Sequence, residues 1–277
     1  MKSGKVRRDK LVLLKYFSWA ALVLSLLCIR AGKAQDLSAR LQRVQAWGAD
    51  KTGVEAPAGL AFSAQADTFY VVAAPAAGEN TPAGTEIHSL SVLGQAAGSA
   101  RLPAAIDNPL NLTYDDRHSR LIFYQTASAQ LVTVGTDAAG QLLPGSLRTY
   151  QAAWLGLHSP QGMAIDPLHR TLIFLDAAVP RLVILPLLPD GGFAEASITR
   201  VDLQATGAGG LRGMAFDPAS GHVYLVSPGA QMLYEISLAG EVIASYDLSR
   251  LQVGDPQALI FAPSGDQTDD PAQMSLY

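Results

Sequence analysis

The chain has 277 residues, 49% of them hydrophobic and 16% charged, ample for a large buried core in one all-β domain. Its formal charge of −4 is unevenly spread: residues 1–34 hold eight Lys or Arg against Asp9 alone, which leaves residues 35–277 near −11. A surface of that sign repels nucleic acid and anionic membranes, so neither is expected as a partner.

The first element in chain order is an export segment. "MKSGKVRRDK" is a positive n-region and "WAALVLSLLCI" (19–29) is an apolar stretch of signal-peptide length. Gly32 and Ala34 then stand at the −3 and −1 positions of an Ala-x-Ala-like cleavage site. The alternative is an uncleaved anchor over residues 11–29, a run that Lys15 breaks. The expected location is secreted, periplasmic or cell-envelope, with membrane attachment only if the segment is retained. Cys28, the only cysteine, follows Leu27 rather than a small residue, which argues against lipidation. A mature chain without it has no disulfide, zinc-thiolate site or thiol nucleophile. "DLSARLQRV" (36–44) is the best helical candidate beyond this head, and it is short.

From residue 56 onward the chain repeats itself. "APAGLAFSAQADTFYVV" (56–72), "NPLNLTYDDRHSRLIFY" (108–124), "SPQGMAIDPLHRTLIFL" (159–175) and "GLRGMAFDPASGHVYLV" (210–226) share one template, and "DPQALIFAPSG" (255–265) begins it again. Pro57, Pro109, Pro160, Leu211 and Pro256 are equivalent, at steps of 52, 51, 51 and 45 residues. In each copy a small apolar run suits an inner strand pressed close to its neighbours. An Asp- or Pro-bearing turn follows, then a β-branched and aromatic run such as "TLIFL". A third strand comes next, "QLVTV" (130–134), "RLVILPL" (181–187) or "QMLYEIS" (231–237), and after a Gly-bearing turn an outer strand such as "EVIASYDL". Four short antiparallel strands about every 50 residues make one propeller blade. The expected domains are therefore 1–34 as signal peptide or anchor and 35–277 as an all-β propeller, with four complete blades and the start of a fifth.

The template "P-x-G-[Leu/Met]-Ala-[Phe/Ile]-Asp-Pro", followed by an "LYV"-like strand and "LYEIS-x-x-Gly", resembles the NHL-repeat and gluconolactonase-like six-bladed propellers. It is similar also to the SdiA-regulated family. The resemblance spans about residues 50–277 and implies six blades, so the fifth copy, ending at "MSLY", reads as a ring cut short: a fragment or truncated product, or one completed by partner chains.

Catalytic signatures are sparse. His118, His169 and His222 fall at equivalent turns in three copies, as exposed turn polarity would, and neither a Gly-x-Ser-x-Gly elbow nor a His-Glu-x-x-His helix occurs. No catalytic residue is nominated. Asp266, Asp269 and Asp270 in "SGDQTDDPAQ" read either as oxygen ligands for Ca²⁺ or as a solvated turn.

Propeller sites form where loops lead into the inner strands. At that mouth the copies place Asn111, Gln161, Arg212 and Gln257, the candidate ligand-binding set. Arg212 carries a fork that can hold a carboxylate or phosphate; its alternative is a pair with an acid such as Asp255. The gluconolactonase-like resemblance implies a divalent metal at the same mouth, with Glu55, Asn108 and Asp176 as ligands, although Gln125 and Ser227 stand where Asp176 does in other copies. The reading is an exported, non-catalytic propeller that binds a protein, peptide or small ligand at this face, without a cofactor. The alternatives are a metal-dependent lactonase or esterase-like hydrolase, and a truncated product without independent function.

Overall fold

A computed structural model of the chain describes residues 47–73, 84–103, 106–251, 258–264 and 274–277. Residues 1–34, expected as an export segment, the helical candidate 36–44, Asp255, Gln257 and the acidic run at Asp266, Asp269 and Asp270 lie outside the described residues. A one-turn helix, α1 (Ala49–Thr52), precedes the first blade, made of β1 (Pro57–Ser63), β2 (Thr68–Ala73), β3 (Thr85–Ser91) and β4 (Ala96–Leu102). Blade 2 contains β5 (Leu112–Asp115), β6 (Arg120–Gln125), β7 (Gln130–Gly135) and β8 (Arg148–Gln151). Blade 3 contains β9 (Pro160–Asp166), β10 (Thr171–Asp176), β11 (Arg181–Pro186) and β12 (Thr199–Asp202). Blade 4 contains β13 (Arg212–Asp217), β14 (His222–Ser227), β15 (Met232–Ile236) and β16 (Val242–Asp247). A two-stranded sheet, β17 (Phe261–Pro263) and β18 (Met274–Leu276), comes last. Every blade is an antiparallel meander in sequence order, as the repeat predicts.

The small residues of the template lie where the first strands of adjacent blades meet. A Cβ on Gly162 would fall 2.9 Å from both the backbone nitrogen and the Cβ of Met214, and one on Gly59 would fall on the Pro109 carbonyl. The register slips between Pro57 and Gly59 and between Arg212 and Met214, and Gly213 has φ +62. The template glycine thus serves both close approach and a bulge. The turn residue just before the second strand is left-handed in all four blades: Asp67, Ser119, Arg170 and Gly221.

The β-branched and aromatic second strands are buried on both faces. In β6, Leu121 and Phe123 face Tyr70 and Val72 of blade 1, while Ile122 and Tyr124 face Leu172 and Phe174 of blade 3. In β10 the other parity, Ile173 and Leu175, packs on Met214, Phe216 and Val223 of blade 4. Period-2 alternation therefore appears as an unbroken apolar run, because each side has a blade to cover it.

The resemblance implied six blades; among the described residues there are four, with one two-stranded sheet beside them. That sheet touches blade 4 and blade 1 at once. Phe261 meets Tyr224 with ring centroids 5.1 Å apart, whereas Ala262 lies in one core with Phe62, Phe69 and Val71. Tyr277 stacks on Trp47 at 5.3 Å and meets Phe69 edge-on at 5.2 Å. Aromatic side chains thus bridge the two-stranded sheet to blade 4 on one side and to blade 1 on the other.

Candidate functional site

The starts of β9 and β13 define the mouth. Gly162 abuts Gly213 and Met214, so Gln161 and Arg212, one residue earlier on each strand, stand side by side; both are half-buried. The Gln161 amide donates to Ser159 Oγ at 3.4 Å. Asn111 is completely buried. Its amide nitrogen donates to the Pro160 carbonyl at 3.2 Å, while its Oδ1 is a buried acceptor without a donor among the described residues. That burial also keeps the Asn-Leu-Thr sequon at 111–113 from being a glycosylation site in the folded protein. Asn111, Gln161 and Arg212 are thus brought together, whereas Gln257 is outside the described residues.

The metal candidates are placed differently. Asn108 donates to the same Pro160 carbonyl at 2.9 Å and accepts the Leu110 N–H at 3.2 Å, so both ends of its amide hold the turn. Asp176 is wholly buried. Its Oδ1 accepts the Ser159 N–H at 2.9 Å; its Oδ2 accepts the His158 N–H at 3.2 Å and the Arg181 guanidinium at 3.0 Å. Burial by itself would push this carboxyl up, but these donors outweigh it and hold it below its ordinary value. Ser227 does the equivalent work in blade 4, donating to Gly209 O at 2.6 Å. Glu55 lies elsewhere, on a cleft of about 410 Å³ with Trp47, Ala58 and Tyr277. Among the described residues no group of three or more His, Cys, Asp or Glu is arranged to hold a metal. With the oxygens of Asp176 and Asn108 already engaged by protein donors, this set does not fit a divalent ion.

Four histidines pair with carboxylates, His158 the most loosely, with Nδ1 3.4 Å from Asp176 Oδ2. His118 Nδ1 is 2.8 Å from Asp115 Oδ2, and His169 Nδ1 is 2.6 Å from Asp166 Oδ2. His222 Nδ1 is 2.7 Å from Glu235 Oε1, whose other oxygen accepts from Tyr246 at 2.6 Å. The His169 and His158 side chains are mostly exposed, at 70% and 64%; His118 and His222 are at 20% and 25%. The shared Asp-x-x-His spacing at 115–118 and 166–169 was the sequence signal for two of these pairs. The His222–Glu235 pair, formed across β14 and β15, left none.

Four antiparallel four-stranded blades with inner strands in mutual contact define the chain as a β-propeller. No protein-family model and no curated protein matches the sequence. Among solved structures, the chain is similar to a protein from Lactobacillus plantarum at 16% identity and TM-score 0.42, over 69% of this chain and 56% of that one. It is similar to a chain of the nidogen/laminin complex at 16% identity and TM-score 0.48, over 80% and 82%. It is similar to the periplasmic gluconolactonase of Pseudomonas aeruginosa at 16% identity and TM-score 0.46, over 71% and 58%. The match thus spans little more than half the length of the Lactobacillus plantarum protein and of the gluconolactonase. At such distances likeness speaks only to fold.

Proposed function

We propose that this chain is an exported, non-catalytic propeller that binds a protein, peptide or small ligand at the mouth where β9 and β13 begin. The observation that carries this reading is the adjacency of the β9 and β13 starts, which bear two half-buried polar residues, Gln161 and Arg212, near a buried Asn111 whose Oδ1 has no donor among the described residues. A buried acceptor left without a donor costs about 1–3 kcal/mol, and a guanidinium fork matches a carboxylate. The guanidinium suits a ligand with a carboxylate head, such as a peptide terminus. Export rests on the basic and apolar head of the sequence. Among the described residues no helix is long and apolar enough to cross a membrane.

The test has two arms. Hydrolysis of glucono-δ-lactone and p-nitrophenyl acetate, with and without Ca²⁺, Mg²⁺ or Zn²⁺, should stay at the background rate, and none of these ions should raise the melting temperature. A tetrapeptide library with free carboxyl termini should yield ligands whose affinity falls about tenfold or more in Arg212→Ala. Metal-dependent turnover lost in Asp176→Ala would establish the hydrolase instead.

A further inference from the structure

The opposite end of the channel, where the inner strands finish, encloses a cavity of about 150 Å³. Phe62, Met163, Met214, Phe216 and Phe261 form its apolar wall, and Asp115, Asp116, Arg117, His118 and Arg170 stand at its polar side. The charges there are not equivalent. Asp116 Oδ1 accepts from Ser63 Oγ at 2.8 Å and from the Gln65 N–H at 3.0 Å, and its Oδ2 from the Ala64 N–H at 3.3 Å. Asp115 Oδ2 faces His118 Nδ1 at 2.8 Å and accepts from Arg120 Nε at 3.0 Å. The second ring nitrogen of His118 is 3.2 Å from the Pro189 carbonyl. Both carboxylates are therefore engaged in holding blades 1 and 2. Among the described residues the Arg117 and Arg170 side chains make no hydrogen bond or ion pair: Arg117 is exposed, and Arg170 is half-buried and held at φ +55.

We propose that this end is a binding site for a small monocarboxylate with an apolar body about the size of benzoate. The acids already accept hydrogen bonds from the protein, while two guanidinium groups at the edge of an apolar hole keep their donors for a guest. A neutral apolar guest leaves those donors unused, and a fully polar anion has no use for the wall. An apolar cavity of about 150 Å³ accommodates benzene, and guanidinium is the side chain best shaped to receive a carboxylate. The ring would lie among Met163, Met214 and Phe216, with thioether sulfurs suited to aromatic contact, and the carboxylate would pair with Arg117 and Arg170. This site is separate from the Gln161–Arg212 mouth and does not depend on the function proposed for it.

Titration of the full chain with sodium benzoate, followed by calorimetry, tests it. Saturable binding is expected, with benzyl alcohol, the near-isosteric neutral compound, about tenfold or more weaker, since a charge-assisted pair is lost. The Arg117→Ala/Arg170→Ala double variant should lose about the same factor while keeping the wild-type circular dichroism and melting profile. Arg148→Ala, an exposed arginine of β8 that does not line the cavity, should bind as wild type. Absence of saturation, equal affinity for benzyl alcohol, or undiminished binding in the double variant would overturn the proposal.

Discussion

Asp176 and Arg181 close one end of the β10–β11 hairpin as its last and first residues, directly paired in register, with Arg181 Nη2 3.0 Å from Asp176 Oδ2. Asp115 and Arg120 make the corresponding pair across β5 and β6 at the other end of blade 2, also at 3.0 Å. An acid ending one strand and an arginine opening the next recur as a clasp at tight hairpins of this fold.

The clasp of blade 3 is unequal. Asp176→Ala removes the acceptor of two backbone N–H groups and of a mostly buried guanidinium, and is expected to cost about 3–5 kcal/mol. Arg181→Ala leaves Asp176 its two backbone donors and should cost about 1–2 kcal/mol. Urea unfolding of the two variants checks the order; equal losses would contradict it.

Two glycines separate steric from conformational constraint. Gly162→Ala meets Met214 on the next inner strand and should cost about 1–3 kcal/mol by overfilling the contact between blades 3 and 4. Gly221 has φ +73 and nothing within 4 Å of the position a Cβ would take. Gly221→Ala should therefore cost only the left-handed strain, about 1 kcal/mol. Thermal melts distinguish them, and because the first clash is with the backbone nitrogen and Cβ of Met214, atoms that alanine keeps, a Met214→Ala background should not restore it.

Much of this was legible in the repeat. The strand order, the close inner strands and the strands buried on both faces follow from the small run, the Asp turn and the apolar run recurring about every 50 residues. The roles of single polar residues were not. Whether Asn108 or Asp176 offers its oxygens to a ligand or to the backbone depends on the Pro160 carbonyl and on the Ser159 and His158 amides, groups that every residue carries and that no side-chain pattern reveals. The four blades and the start of a fifth were counted from the repeat; only the six implied by the resemblance were not found among the described residues.

Glu235 gives blade 4 a defined response to acid. Burial would push its carboxyl up, but hydrogen bonds from Tyr246, His222 and Tyr224 outweigh that and hold it below its ordinary value of 4.5. A depressed carboxyl stabilises the fold above its unfolded value, and that contribution fades as pH falls through the folded one. Tyr246→Phe removes one donor and should lower the melting temperature at pH 7, at a cost of about 1–2 kcal/mol. The gap between variant and wild type should narrow below about pH 4.5 as Glu235 takes up its proton; a gap constant to pH 3 would refute the assignment.

A fourth expectation concerns the joint between blades 1 and 2. The Tyr70 hydroxyl donates to the Gly140 carbonyl at 2.7 Å from a fully buried position. Burial, followed by the neighbouring Tyr114, holds its phenol far above the ordinary range, so it remains a donor at any pH the fold survives. Tyr70→Phe should cost about 1–2 kcal/mol, independent of pH between 6 and 9. Guanidinium unfolding across that range is the measurement.

The Trp47–Tyr277 stack joins positions 230 residues apart. One side of the first blade, with Phe62 and Phe69, is covered by Ala262 and Tyr277, so during synthesis it waits uncovered while blades 2, 3 and 4 leave the ribosome. Those blades can assemble in the order they are made, each on its predecessor, whereas the first must be finished by the last. Such a nascent chain carries an adhesive aromatic face for most of its translation, at the stage when holding chaperones act and when two unfinished copies would join each other.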